Sequence, residues 1–380
     1  MNILHIVPSY KPAYIYGGPI ESVARLCEGL VEAGNNVHVY TTTANGKTEL
    51  EVPVGMPVDV DGVHVTYFKR ITKDPTHISP ALWKELYNKV SQYDVVHIHS
   101  WWNILVMVAA KICLSKNANI IIAPRGMLSS YIFNSGSSKV KKFIHNSFGR
   151  SLLAKTYFHA TAQAEYMECA ALIPGWSGFV LPNIISLPDI PINHQPNKAF
   201  TLIFLSRIHP KKGLEILIEA LSQVNFDIVL KIAGNGDDEY ILQLKQLIDR
   251  LGIAHKVEWL GWMDRNQKFI ELMNADLFTL ISLNENFANV VIESLHMGTP
   301  VLVSKDVALS GFVREKDMGW VCDLQTHEVV SKLIEAQSQL TKRNKIRSIG
   351  RNVIEENFSE QKLIKSYIEQ YKEVAKNYSA

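Results

Sequence analysis

Residues 2–42, NILHIVPSYKPAYIYGGPIESVARLCEGLVEAGNNVHVYTT, decide the fold class. Ile3–Val7 is a short apolar run closed by Pro8, the length and bounding of a buried strand. Ile20, Val23, Ala24, Cys27, Leu30 and Val31 then recur at helical spacing until Gly34 stops them. Val37–Thr41 supplies a second strand. A strand, a helix and a strand in this order make a parallel pair with a crossover helix, so the chain opens as an α/β fold.

The pattern continues outward. Val63–Phe68, Val95–Ile98 and Ile120–Ala123 extend the strand series, with helical stretches at Pro80–Val90 and Leu105–Leu114, which predicts one doubly wound domain. Pro182, Pro188, Pro191 and Pro196 fall in an aperiodic stretch, Pro182–Lys198, that reads as a linker. A second series follows it. Leu202–Leu205, Ile228–Ala233, Val257–Leu260, Leu277–Ile281 and Val301–Ser304 read as strands. Leu214, Leu217, Ile218 and Leu221 share one helix side, and a further helix runs from about Tyr240 to Leu251. The 380 residues are therefore expected to form two Rossmann-like domains, 1–190 and 191–358, with a ligand cleft at the carboxyl ends of two parallel sheets. Ser359–Ala375 reads as an amphipathic helix carrying Leu363, Ile364, Tyr367, Ile368 and Tyr371.

Composition narrows the function classes. With 47% hydrophobic and 20% charged residues, the chain can bury large cores and is not disordered. Apolar runs such as Ile3–Val7 and Ile104–Ala110 fall far short of a membrane span, and the start does not resemble a secretory signal. Four scattered cysteines without a CxxC pair fit a reducing cytoplasm. A net charge of +2 implies no nucleic-acid partner. From Trp101 to Ala164, however, there is no Asp or Glu, while Lys111, Lys116, Arg125, Lys139, Lys141, Lys142, Arg150 and Lys155 all fall there. Such a surface suits anionic headgroups, a phosphate-bearing acceptor or an acidic partner; a solvated face balanced elsewhere is the plainer reading.

Two stretches carry chemistry. Ser206-Arg207-Ile208-His209-Pro210-Lys211-Lys212-Gly213 follows a strand and opens a helix, so Arg207 and Lys212 bracket a turn that suits a diphosphate. Strand Leu277–Ile281 runs into Ser282-Leu283-Asn284-Glu285-Asn286-Phe287-Ala288-Asn289-Val290-Val291-Ile292-Glu293 and a helix closed by Gly298. Glu285 and Glu293 can each accept hydrogen bonds from vicinal hydroxyls, as a ribose and a hexose would offer. Other signals are weaker. Asp59-Val60-Asp61 has the form of a metal-binding DxD but precedes Gly62 and a period-2 strand, which predicts a hairpin turn. His97 and His99 lack a third ligand at a diagnostic spacing. Gly234-Asn235-Gly236 lacks the last glycine of a dinucleotide fingerprint. Trp101 and Trp102 either stack on an acceptor sugar or pack in the core.

Taken in order, these features resemble the signature of family 4 glycosyltransferases, retaining enzymes of the two-domain GT-B fold. Gly17-Gly18-Pro19 is similar to the family's amino-terminal glycine loop and His97-Ile98-His99 to its HxH strand end. Arg207 with Lys212-Gly213 is similar to its phosphate clamp, Gly234 and Gly236 to its second glycine turn, and Leu260-Gly261-Trp262 to its nucleobase loop. The resemblance implies transfer of a hexose-type sugar from a UDP- or GDP-linked donor to a glycan or lipid-linked oligosaccharide, in bacterial surface polysaccharide synthesis. Arg207 and Lys212 would neutralise the leaving group without a metal or other cofactor. Glu293 would hold the ribose, Glu285 the sugar hydroxyls, and the amides of Asn286, Phe287, Ala288 and Asn289 the sugar, with Gly17, Gly18, Gly234, Gly261 and Trp262 completing the donor site. His99, with His97 as second choice, would stand near the sugar. Pro124-Arg125-Gly126-Met127-Leu128 resembles a variant loop of some bacterial members, with Arg125 contacting an acceptor or donor phosphate, or else held in a structural salt bridge; Trp101 and Trp102 are the aromatic candidates for the acceptor. The segment 359–380 would cross back to the first domain. Ser206, Ala288 and His296 stand where the family commonly has smaller residues. The competing readings are a nucleotide-sugar epimerase of the same architecture and a non-catalytic sugar-nucleotide-binding module. Contact with the inner-membrane surface is the further expectation from the acid-free basic segment.

Overall fold

A computed structural model describes residues 1–134 and 138–377 and divides them into two compact units. The first takes the chain up to Ser186 and the segment from Glu360 onward; the second is Leu187–Ser359.

The strands of the first unit are β1 (Asn2–Ile6), β2 (Asn36–Thr42), β3 (Ala44–Asn45), β4 (Thr48–Glu49), β5 (Pro57–Val60), β6 (Val63–Phe68), β7 (Val95–His99), β8 (Ile120–Ala123), β9 (Tyr157–Ala160) and β10 (Gly178–Val180). Eight of them form one sheet in the order β10-β9-β8-β7-β1-β2-β6-β5, parallel throughout except for β5, which pairs antiparallel with β6. β7 is buried along its whole length, which is why it reads as an apolar run interrupted only by two histidines. Asp59-Val60-Asp61 is the expected hairpin. Asp61 and Gly62 both take positive φ, 54° and 82°, and the Gly62 amide donates to Asp59 Oδ1 at 3.1 Å.

The second unit contains β11 (Phe200–Leu205), β12 (Ile228–Ala233), β13 (Val257–Gly261), β14 (Leu277–Leu280), β15 (Val301–Ser304) and β16 (Gly319–Cys322). They form a parallel sheet in the order β13-β12-β11-β14-β15-β16. β11 and β14 are adjacent, and chain order reverses between them; β1 and β7 make the same reversal in the first unit. Loops leaving the carboxyl ends of such pairs are where ligands of open α/β sheets bind.

The helix Glu360–Asn377 belongs to the first unit and packs on the helix Gly18–Glu32. Gly29 allows the approach, since a Cβ there would lie 2.6 Å from Ile364 Cδ1, and Arg25 pairs with Glu360 beside it. Tyr367 and Tyr371 are buried beneath this helix. The proline-rich connection is anchored at both ends. Pro182 and Leu181 offer their carbonyls to first-unit side chains. Pro188 accepts from the His296 ring at 2.8 Å, and Ile190 from Arg351, so the unit boundary falls at Leu187, slightly before residue 190. No helix among the described residues is long and apolar enough to cross a membrane.

Candidate active site

In the second unit, the loop after β11 turns through a single 3₁₀ turn, Pro210–Lys212, before the helix Leu214–Leu221. Gly213 joins the two at φ 66°, and a Cβ there would lie 2.0 Å from the Ile281 carbonyl oxygen, so no other residue fits. The loop after β14 lies against this turn. The Leu283 amide and the Ser282 hydroxyl both donate to the Lys211 carbonyl, at 2.8 and 2.9 Å. This stitching carries the Lys212 ammonium onto Glu285 Oε2, both side chains mostly shielded. Glu285 is fixed through its backbone as well, its amide donating to Asp306 O and its carbonyl accepting from Ala308 N, each at 3.0 Å.

Glu293, in the helix Asn289–His296, is buried and accepts from Lys268 Nζ at 2.7 Å. Only its Oε1 is engaged by that ammonium. Lys268, on the helix Arg265–Asn274, was not among the expected residues; a lysine facing the buried carboxylate from a separate helix leaves no local spacing to read. Arg207 is exposed and has no partner among the described residues. Trp262 is 66% exposed beside Gly261, at the end of β13. Phe287 is buried against Phe358. Ala288 adopts the left-handed region at φ 68° and ψ 70°, the conformation a glycine would take without strain.

Gly234 and Gly236 serve the backbone around them. A Cβ on Gly234 would lie 1.9 Å from Ser206 O, and one on Gly236 2.1 Å from Ile208 O. They therefore let the turn after β12 lie against the cationic loop, which holds Arg207 at the strand ends.

The first unit presents a different assembly. Gly17, at φ 70°, has open space around it and precedes the helix Gly18–Glu32, whose first turn contains Pro19. Behind this loop, His97 and His99 point to one side of β7 with ring centroids 4.2 Å apart. His5 of β1 and His159 of β9 join them, so the third imidazole that spacing could not reveal comes from a neighbouring strand across the sheet. Ring nitrogens of His5, His97 and His99 lie within 4.8 Å of one another, close enough for a metal ion. A guanidinium donates into this group, however, and a second cation there would be repelled.

His99 is enclosed rather than open to the surface. It is buried, its Nε2 bonded to His5 Nδ1 at 2.9 Å and its Nδ1 to Arg125 Nε at 3.2 Å, so both ring nitrogens are occupied. His97 is likewise enclosed, between Tyr371 and His159. Trp101 is completely buried in the core of the unit, which rules out stacking on a sugar. Trp102 is partly exposed, its indole N–H held by the Met127 carbonyl. Arg125 makes no ion pair among the described residues; it bonds to His99, Ser22 and Asn183.

Comparison with known proteins adds a family. A model described as Glycosyltransferase Family 4 matches residues 16–174, and one described as Glycosyl transferases group 1 matches residues 188–353. The chain is 26% identical over 347 residues to an uncharacterized glycosyltransferase of Methanocaldococcus jannaschii, covering 84% of this chain and 85% of that protein. It is 27% identical over 177 residues to the lipopolysaccharide core biosynthesis glycosyltransferase LpsE of Rhizobium meliloti, spanning 46% of this chain and half of that relative's length. The crystal structure of Anabaena HepE in complex with UDP and glucose superposes with a TM-score of 0.76 at 19% identity, over 98% of this chain and 100% of that one.

Proposed function

Since the chain belongs to glycosyltransferase family 4 and has the GT-B fold, we propose that it moves a hexose-type sugar, with retention, from a nucleotide diphosphate donor to a lipid-linked or glycan acceptor. The observation that carries this reading is the Lys212–Glu285 pair at the reversal point of the second sheet. An ammonium and a carboxylate held together there are the two groups a sugar diphosphate needs at adjoining positions. The diphosphate takes the ammonium and the sugar hydroxyls take the carboxylate, each replacing the partner it displaces. Arg207, exposed and unpartnered among the described residues, adds a second charge for the leaving group. Glu293 keeps Lys268 on one oxygen and offers the other to the ribose diol.

Catalysis on this reading is positioning and charge stabilisation. The departing phosphate oxygen accepts the acceptor proton on the face of attack, so no covalent enzyme intermediate forms and Glu285 is not a nucleophile. Two cations on the leaving group, Lys212 and Arg207, supply the charge that a metal would otherwise bring. Gly17, Gly18, Gly261, Trp262, Asn286, Phe287, Ala288 and Asn289 complete the donor-binding set. The nucleotide is UDP- or GDP-linked; that the HepE structure holds UDP and glucose supports the former.

The acceptor is proposed to lie at an anionic membrane surface, with the enzyme working from the cytoplasmic side in surface polysaccharide synthesis; the LpsE likeness supports the pathway. Val140, Phe143 and Phe148 are exposed, Phe143 by 72%, and alternate with Lys139, Lys141, Lys142 and Arg150 in a segment without acids. Apolar side chains among lysines are the composition of an interfacial helix. Sedimentation with anionic liposomes at low salt should carry the protein down, and no binding would remove the membrane from this reading. A thermal-shift screen of UDP-, GDP- and ADP-sugars, with and without magnesium, tests the donor. A donor that stabilises the protein without magnesium is expected; a requirement for magnesium would overturn metal independence.

A further inference from the structure

We infer that Arg125 is an anion-binding group of the first unit, aimed by a chain of neutral histidines to take a phosphate ester of a substrate. Its ligand rests on the transferase reading, and its geometry on contacts within the first unit. Arg125 opens the loop after β8 in the left-handed region, at φ 52°, and Ser100 just after β7 is at 74°. Both lie at carboxyl ends of the first sheet, where backbone strain of this kind accompanies binding sites.

The guanidinium is oriented by three acceptors and neutralised by none of them. Nε donates to His99 Nδ1, and Nη1 donates to Asn183 Oδ1 at 3.0 Å and Ser22 Oγ at 3.3 Å. Nη2 has no acceptor among the described residues, and the residue is partly exposed. The nearby carboxylate, Glu165, is committed to holding the loop: it accepts from Gly126 N at 2.6 Å, Thr161 N at 2.8 Å and Thr161 Oγ1 at 3.0 Å. A charge partly withdrawn from water without a hydrogen-bonded counterion is costly. The two N–H groups left on Nη2, on a charge held in place by the other three, suit a phosphate oxygen.

The aim depends on protons elsewhere. Arginine only donates, so His99 Nδ1 is an acceptor and the His99 proton sits on Nε2. That proton goes to His5 Nδ1, which places the His5 proton on Nε2, buried and without a partner. On the other branch, Leu181 O can only accept, so His159 carries its proton on Nε2, 2.8 Å away. His159 Nδ1 then accepts from His97 Nε2 at 3.3 Å, and His97 Nδ1 accepts from the Tyr371 hydroxyl at 2.7 Å. All four rings are thus neutral Nε2–H tautomers. A proton on His99 Nδ1 would face the guanidinium and turn it away, so these histidines are positioning residues for Arg125.

The test titrates inorganic phosphate calorimetrically into the full chain saturated with UDP or GDP, whichever binds. The wild type should take up phosphate, Arg125→Met should lose at least tenfold in affinity, and Arg125→Lys, which keeps the charge without the fork, should lose less. If the phosphate belongs to the donor, UDP or GDP blocks the site and Arg125→Met instead weakens the nucleotide at least tenfold. Both results support the site and separate acceptor from donor. Unchanged affinity for phosphate and nucleotide in Arg125→Met overturns it. Lys212→Ala should weaken the nucleotide and spare phosphate; unaltered nucleotide binding there would count against the donor site alone. For the histidines, ¹⁵N spectra should show Nε2–H tautomers in the wild type and a growing Nδ1–H fraction at His99 in Arg125→Met. An unchanged His99 tautomer would overturn the positioning role.

Discussion

At the carboxyl ends of its sheet, the first unit gathers imidazoles that are buried and neutral, behind one arginine. The second unit gathers ammonium and carboxylate groups in pairs, Lys212 with Glu285 and Lys268 with Glu293. Both solve the same difficulty, that polar side chains on a parallel sheet lose water, but by opposite means. Hydrogen bonds between uncharged rings fix geometry and resist a change of charge. Ion pairs keep charge available for a ligand that can replace one partner. The first arrangement therefore belongs to orientation and the second to exchange.

Acid should break this contrast most strongly. Burial lowers His5 and His159 to about 3 in the folded unit, against an ordinary 6.5, and holds His97 and His99 well below it. The groups packed on them, Arg125, Tyr367 and Tyr371, supply no negative charge that would favour protonation at low pH. Between those values protons bind the unfolded chain and not the folded one, so the stability of the first unit is full above about pH 6.5 and falls as pH drops. Near pH 5 His5 and His159 each cost about 2 kcal/mol, and His97 and His99 act in the same direction. Hydrogen exchange resolved by region should show residues 1–186 losing protection between pH 7 and 5 before residues 187–359. Equal loss in both units would remove the distinction.

Backbone fit comes next. Gly213→Ala adds a left-handed strain and a collision with Ile281 O, and should lower stability by about 3 kcal/mol in denaturant titration. Gly17→Ala meets open space, but at φ 70° and ψ −142° the backbone itself resists a side chain, so it should cost about 2 kcal/mol from strain alone. Similar losses at the two glycines would mean that the turn after β11 is not held against β14. Lys212→Ala and Glu285→Ala should each reduce turnover by more than about tenfold, ~1.4 kcal/mol of barrier, in an assay of donor consumption with acceptor present. Near-normal rates would detach the ion pair from function. The smallest effect is a gain: Ala288→Gly should relieve left-handed strain and stabilise the protein by about 0.5–1 kcal/mol, read as a raised melting temperature. A lower melting temperature would show that the buried methyl outweighs the strain.

Much of this architecture was legible because a parallel sheet writes itself as short apolar runs separated by helical periods, and β2, β6, β8, β12 and β15 fall where those runs are. The placement of Glu285, Glu293, Arg207 and Lys212 was also legible, since each lies where a strand end passes into a helix start. The histidine cluster was not. His5 and His97 are neighbours only because β1 and β7 pair, and 92 residues of chain separate them in sequence, so no spacing rule reaches across. A histidine inside an otherwise apolar strand, repeated on β1, β7 and β9, was the available signal. Trp101 stayed open for the converse reason: a tandem pair of tryptophans after a strand fits a sugar face or the core, and here the first turns into the core while the second reaches the surface. Gly234 was read as a ligand contact, whereas the close approach it permits is to Ser206 of its own chain.

The terminal helix has a consequence for how the molecule is made. Because Glu360–Asn377 completes a core whose other members precede Leu187, one folding unit is split in sequence around the other. During synthesis the ribosome delivers every residue of the inserted unit before the last piece of the enclosing one, reversing the usual order in which amino-terminal units finish first. Until Tyr367 and Tyr371 emerge, the nascent protein must carry His97 and its neighbours without their aromatic cover.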